Sequence, residues 1–301
     1  MCTAYLVSEE LILVFFMLSL CLYLLQNISN KEYGRRYGKG SSAASVLQNG
    51  ICVCFSALVM ALPGSICLLP SAFLLLAALF GCFYLLTVFL LLCAFSHGSM
   101  GGSTLLCNIG MFISALYGIL VFRDDFTAGI GVGMVCMLTA VVLCTPRGDG
   151  TGSLKWFWFA LASGVSNGIV ASIKSTAVRL GTDLDMRVFL FWGFLMASLM
   201  FCMLLLFHRP VRLEAGNIIR TTPCGVLLCG LGSGIGTSMA NLFQMRALEH
   251  ISSAIVYPFT AGFLVVILWL TSLLIYKEVR LRLPHVLSVL LCIAAILFVN
   301  T

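Results

Sequence analysis

Charge is what this sequence has least of. Asp, Glu, Lys and Arg make up 9% of its 301 residues, against about 25% in an ordinary soluble domain. So few charges cannot cover a surface facing water, which excludes a soluble globular protein for most of the chain. Other absences narrow the function. There is no GxxxxGK followed by Ser or Thr, which excludes ATP-driven transport by this chain alone. The four histidines (97, 208, 250 and 285) are scattered, with no HExxH or HxxE pattern, so the chain does not read as an enzyme. No basic stripe interleaves with aromatics, which excludes a nucleic-acid partner. No CxxC pair occurs among the fourteen cysteines. Most of them, such as Cys21, Cys93, Cys136, Cys202 and Cys292, sit inside apolar runs, where Cys behaves as a small hydrophobe. Cys52 and Cys54 point to opposite sides of a helix. Neither a disulfide framework nor a metal site is expected, and no cofactor is implied.

What the chain has instead is hydrocarbon: 61% hydrophobic residues and a mean hydropathy of +1.10. A helix needs roughly 20 mostly apolar residues to span a bilayer. Ten such runs fit, at about 9–28, 43–62, 70–95, 99–122, 126–145, 154–178, 187–207, 224–246, 252–276 and 283–300, with ends good to a few residues. The first is preceded by Glu9 and Glu10 rather than by Lys or Arg, and no small-residue cleavage site follows. It therefore reads as a membrane helix and not a signal peptide. The residues from Pro146 to Ser153 form the clearest linker, and the stretch holding His208, Arg209, Arg212, Glu214 and Arg220 reads as a polar loop.

The linker splits the chain into residues 1–148 and 149–301, and the two parts share spacings. Ser29, Lys31, Arg36 and Gly38 are matched by Ser172, Lys174, Arg179 and Gly181 at an offset of 143. Ala94, His97 and Ser99 are matched by Ala247, His250 and Ser252 at an offset of 153. Asp124-Asp125 then aligns with Lys277-Glu278, each at the turn before the last helix of its part. Five helices is an odd number, so a second copy must enter the membrane inverted. The expected fold is all-α integral membrane, with ten transmembrane helices as two inverted five-helix repeats around a central cavity, a common device of secondary transporters.

The segment Ala247-Leu-Glu-His-Ile-Ser-Ser-Ala-Ile-Val-Tyr-Pro-Phe259 resembles the start of the penultimate helix in the drug/metabolite transporter (DMT) superfamily, EamA-like branch. Ile275 to Pro284, with Lys277-Glu278, resembles that family's acidic turn, and Phe122-Arg-Asp-Asp-Phe126 is a degraded first-half version. The family's usual Gly-Glu is absent from both turns. The resemblance implies a ten-helix permease or exporter that moves a small organic metabolite or drug-like solute by alternating access.

Polar groups at helical spacing would line its cavity. Ser233, Thr237, Asn241 and Gln244 share one face of the eighth helix, as Ser163, Ser166, Asn167 and Lys174 do in the sixth. Tyr23 and Gln26, Tyr84, Asn108, and Tyr257 with Thr260 are further substrate-binding candidates. The competing reading is interhelical hydrogen bonding; it is even with the cavity reading for Asn167, Asn241 and Tyr257 and stronger for the hydroxyls, which can bond back to their own helix. Gly230, Gly232, Gly234 and Gly236 read as close-packing positions. Glu10, Lys174, Arg246 and Glu249 are candidates for coupling or gating, but all four are expected at solvated helix ends. A neutral, zwitterionic or amphipathic substrate follows, rather than a strongly charged one.

The expected partners are that solute and the bilayer, with a homodimer compatible with the sequence. The expected location is multi-pass in the plasma (inner) membrane. The odd-numbered loops carry 12 Lys and Arg and the even-numbered ones 5, which puts both termini outside by the positive-inside rule; the family resemblance implies termini in the cytoplasm. A membrane-embedded lipid-modifying enzyme and a non-transporting membrane subunit are the alternative functions.

Overall fold

The computed structural model describes residues 9–38, 42–97, 103, 106–124, 127–144, 154–181, 184–275 and, within 286–298, residues 286, 287, 290, 291, 293–295 and 298. Their regular structure is helical: α1 Glu9–Tyr33, α2 Ser42–Ala61, α3 Ser71–His97, α4 Gly110–Val121, α5 Ala128–Cys144, α6 Leu154–Leu180, α7 Met186–Phe207, α8 Arg209–Thr221, α9 Pro223–Leu248 and α10 Ser253–Leu274. A π-helical turn, Gly34–Gly38, follows α1. The described residues of 286–298 are helical as well. The linker around 146–153 and the turn with Lys277 and Glu278 lie outside the described residues, as does Asp125.

Five helices (α2, α3, α6, α7 and α9) are long and apolar enough to cross a membrane, and α4, α5 and α10 contain shorter apolar stretches. The polarity is arranged for lipid. Leu120, Phe207 and Leu228 are among the most exposed side chains, while Ser19, Ser163, Ser238, Thr260 and Lys174 are buried. In a bilayer polar groups must find their partners inside the protein. The chain is an all-α membrane protein.

Two expectations are corrected. The first helix runs five residues beyond 28, to Tyr33; α9 lies along it, and Asn27 bonds back to the Tyr23 carbonyl at 2.7 Å instead of breaking the helix. The stretch read as a polar loop is the helix α8. Pro210 sits in its first turn, where its missing N–H costs nothing. Ala215 is buried and Val211 and Ile218 half-buried on one side, with Arg209, Arg212, Glu214 and Arg220 exposed on the other. This polar-faced helix packs on α2, α7 and α9 and has the pattern of one lying in the membrane interface.

The bundle is built from a few extensive pairings: α1 with α9, α3 with α6, α2 with α7 and α9, α3 with α7, and α4 with α6 and α10; α1 meets α10 in a lighter contact. Glycine sets the closest of them. A Cβ on Gly236 would stand 2.7 Å from the Leu22 carbonyl oxygen and 2.8 Å from the Gln26 nitrogen of α1. A Cβ on Gly234 would stand 2.5 Å from the Phe55 Cβ and 3.0 Å from the Cys52 carbonyl oxygen of α2. Gly232 also faces α1 and Gly230 faces α2. The alternating glycines of α9 thus form two stripes, one for each neighbour, which is the close-packing use expected of them.

This geometry separates two substitutions. Gly236→Ala pushes a methyl group into the α1 backbone and should cost about 1–3 kcal/mol by overpacking. Gly232→Ala meets only the Ser29 hydroxyl, a movable side-chain tip, and should cost clearly less. Thermal melting of both variants in detergent checks the order; equal losses would contradict the backbone contact.

Candidate functional site: a lysine buried between helices

Lys174 sits on α6 among small residues, with Ala171, Ser175 and Ala177 around it. Its side chain is 5% exposed, and its ammonium donates to Asn241 Oδ1 at 2.8 Å and Gln244 Oε1 at 2.6 Å. Asn241 and Gln244 are three apart on α9 and so share a face. The Tyr23 hydroxyl of α1 reaches the same two oxygens, at 3.3 and 3.0 Å. The amide nitrogens are held from behind: Asn241 Nδ2 donates to the Thr237 carbonyl at 2.8 Å and Gln244 Nε2 to Thr260 Oγ1 at 3.3 Å. The Tyr257 ring lies 5.7 Å from the ammonium, close enough for a cation–π contact. Its own hydroxyl donates to the Ala171 carbonyl at 2.7 Å. Among the described residues no carboxylate is paired with Lys174.

The lysine is therefore a correction: the sequence places it at a solvated helix end, and the structure buries it. The reason is that α6 continues to Leu180 and α9 covers this stretch. Arg246 and Glu249 form an exposed ion pair at 3.0 Å where α9 ends. Glu10 belongs to α1, but its side chain is outside the described residues.

The remaining candidates divide. Tyr23, Asn241, Tyr257 and Thr260 converge with Gln244 on Lys174. Gln26 is half-buried one turn along α1, against Gly236. Tyr84 of α3 is half-buried, stacked on Phe80 at 6.0 Å and edge-on to Phe194 at 5.8 Å. Thr237 meets Cys52 Sγ at 3.3 Å. The others bond between helices. Ser166 donates to the Phe83 carbonyl at 2.9 Å and Asn167 to the Cys107 carbonyl at 3.3 Å. Ser233 accepts from Gln48, which also donates to Asn30. Asn108 is half-buried just before α4.

The sequence reading missed a second constellation. Arg123 takes a left-handed conformation (φ 56°) after α4, and this turns Asp124 inward. Asp124 Oδ1 pairs with Arg179 of α6 at 2.7 Å; its Oδ2 accepts from the Ser253 backbone N–H at 3.1 Å and the Ser253 hydroxyl at 3.0 Å, at the start of α10. Gly118 leaves the room, since a Cβ there would meet Ser253 Oγ at 1.9 Å and Asp124 Oδ2 at 2.9 Å. Asp124 and Arg179 both fall at spacings shared by the two parts of the sequence, which was the available signal. This clasp ties α4, α6 and α10 together at one end of the bundle. Lys174 lies five residues before Arg179, about 7.5 Å along α6 at 1.5 Å per residue.

An apolar cleft of about 390 Å³ opens between α2, α3 and α7, lined by residues such as Leu85, Phe89, Met200, Phe201 and Phe207. Its lining has almost nothing to fix a polar solute, whereas the lysine cluster has donors and acceptors from three helices. We take the cluster as the site.

No family model matches the chain, and no curated protein matches it in sequence. Solved structures do share the fold. One, described only as "Crystal structure of protein", superposes with a TM-score of 0.68 over 97% of this chain and 96% of that one, at 12% identity. At that identity the likeness concerns the fold alone.

The ammonium's two bonds offset about 1.5–3 kcal/mol each, against a desolvation cost of several kcal/mol. Lys174→Met keeps the length and removes the charge, and the single Tyr23 O–H still donates to one of the two amide oxygens, the nearer being Gln244 Oε1 at 3.0 Å. The melting temperature of this variant should be unchanged or higher. A fall of many degrees would mean that the lysine holds the bundle together. Asp124→Ala, by contrast, removes a buried helix-capping acceptor and should cost about 1–2 kcal/mol, read by the same melt.

Proposed function

We propose that the chain is a secondary-active carrier of a small organic solute, of the drug/metabolite transporter type, working by alternating access between two inverted five-helix halves, residues 1–148 and 149–301. The observation that carries this reading is the buried polar cluster in which Tyr23 of the first half meets Lys174, Asn241 and Gln244 of the second. Ionisable groups at membrane depth are costly and mark solute or ion pathways.

The packing supports the inverted repeat. If α1, α2, α3 and α4 correspond to α6, α7, α9 and α10, the pairing of α1 with α9 becomes that of α6 with α3. The pairing of α2 with α9 becomes that of α7 with α3, and that of α4 with α6 becomes that of α10 with α1. The pairings of α2 with α7 and of α4 with α10 map onto themselves. A two-fold relation of this kind allows the halves to exchange conformations around one site. The Asp124–Arg179–Ser253 clasp then acts as a gate: it closes the end of the bundle nearest Lys174, and opening that end requires its bonds to part.

Counterflow in liposomes loaded with the purified chain tests the reading. A panel of small acids, amino acids, nucleosides, sugars and amines should include a solute whose labelled form accumulates only against its unlabelled self, with saturation. Asp124→Asn should change the rate of that exchange severalfold while the protein stays folded. Folded protein that exchanges no solute on the panel would defeat the carrier reading in favour of a non-transporting subunit.

A further inference from the structure

We infer that Lys174 and Tyr23 form the recognition point for a single carboxylate on the solute, so that the carrier takes small organic monoanions with an apolar or aromatic body. This deepens the carrier reading and rests on it for the word solute, but not for the binding.

The argument is geometric. Two donors on different helices, the ammonium of α6 and the hydroxyl of α1, both aim at one pair of oxygens. That pair, Asn241 Oδ1 and Gln244 Oε1, offers them what the two oxygens of a carboxylate would offer, without the charge. The amides thus occupy the place of an anion and leave the lysine's charge uncompensated. A solute carboxylate entering there would replace neutral acceptors with a charged one and give the buried ammonium its counterion. Charge-assisted bonds of that kind are about twice as strong as neutral ones. The amides are not rigidly committed, since Gln244 Nε2 is anchored only through a long bond to a threonine hydroxyl.

The charge count limits the ligand. Lysine is a compact point charge and lacks the two-pronged donor set of arginine that suits phosphate. Arg179, the next cation along α6, is already paired with Asp124. One carboxylate is matched by one ammonium, whereas a dianion would leave a charge over. The neighbouring side chains suit a body without further charge: Tyr257 is fully buried beside the ammonium, and Phe16 packs edge-on against Phe259 at 5.0 Å in the same core.

The test compares matched acids and amides, benzoate with benzamide and N-acetylphenylalanine with its amide, on the full chain in lipid nanodiscs and in liposomes. Binding by calorimetry should favour each acid over its amide by about tenfold or more, the loss expected when a buried charge lacks its partner. Lys174→Gln should erase that preference, bringing acid and amide to within about twofold of each other. Lys174→Arg should keep much of it. Tyr23→Phe should weaken the acid severalfold and serves as the second probe should the lysine variant fail to fold. Amides bound as tightly as acids, or an acid preference that survives Lys174→Gln, would overturn the inference. Acids and amides exchanged equally in liposomes would overturn it too, yet leave the carrier reading standing. Acid binding that depends on Lys174 with no exchange would keep the inference and defeat the carrier reading.

Discussion

The interaction on which this bundle turns is a positive charge held by neutral oxygens. A lysine in the interior of a membrane protein is normally paired with a carboxylate or led out to the interface. Lys174 does neither: it is 5% exposed and bound by two amides and faced by an aromatic ring. By magnitude the arrangement is near balance at best, with two charged hydrogen bonds against the transfer of an ion out of water. A bundle selected for stability alone would place Leu or Met here. The surrounding sequence shows how the charge is accommodated. The length of the lysine side chain carries its ammonium from α6 to the amides of α9, and Gly232 and Gly236 of α9 bring α1 near enough for Tyr23 to complete the ring of donors and acceptors.

Much of this was legible beforehand, and the limits are physical. Apolar run length marked the five helices that are long and apolar enough to span, α2, α3, α6, α7 and α9, because lipid leaves no other way to satisfy a backbone. The face of α9 bearing Asn241 and Gln244 was visible from spacing, as were Tyr23, Tyr257 and Thr260. The depth of Lys174 was not. The lysine lies four residues before the expected end of the sixth helix at 178, and that position drew it toward the surface. Burial of a long side chain depends on which neighbour covers it, and α9 lies some seventy residues further along the chain. α8 was hidden for a related reason: its few apolar residues are too sparse for a spanning helix, and its period shows only over the whole stretch. The clasp was missed because an Asp-Asp pair at a turn looks like any solvated turn until a distant arginine and a distant helix start are brought to it.

The clasp and the lysine are linked by the stiffness of α6. A helix transmits displacement along its axis with little loss, and only about 7.5 Å separates Lys174 from Arg179. If a ligand draws the ammonium away from Asn241 and Gln244, the same segment of α6 carries the guanidinium that holds Asp124. Asp124 in turn anchors both the turn after α4 and the first residues of α10, which supplies Tyr257 and Thr260 to the cluster. Site and clasp are therefore two ends of one closed circuit, α6 to α4 to α10 and back to the lysine. Each member of the circuit is held by bonds that the next one helps to place.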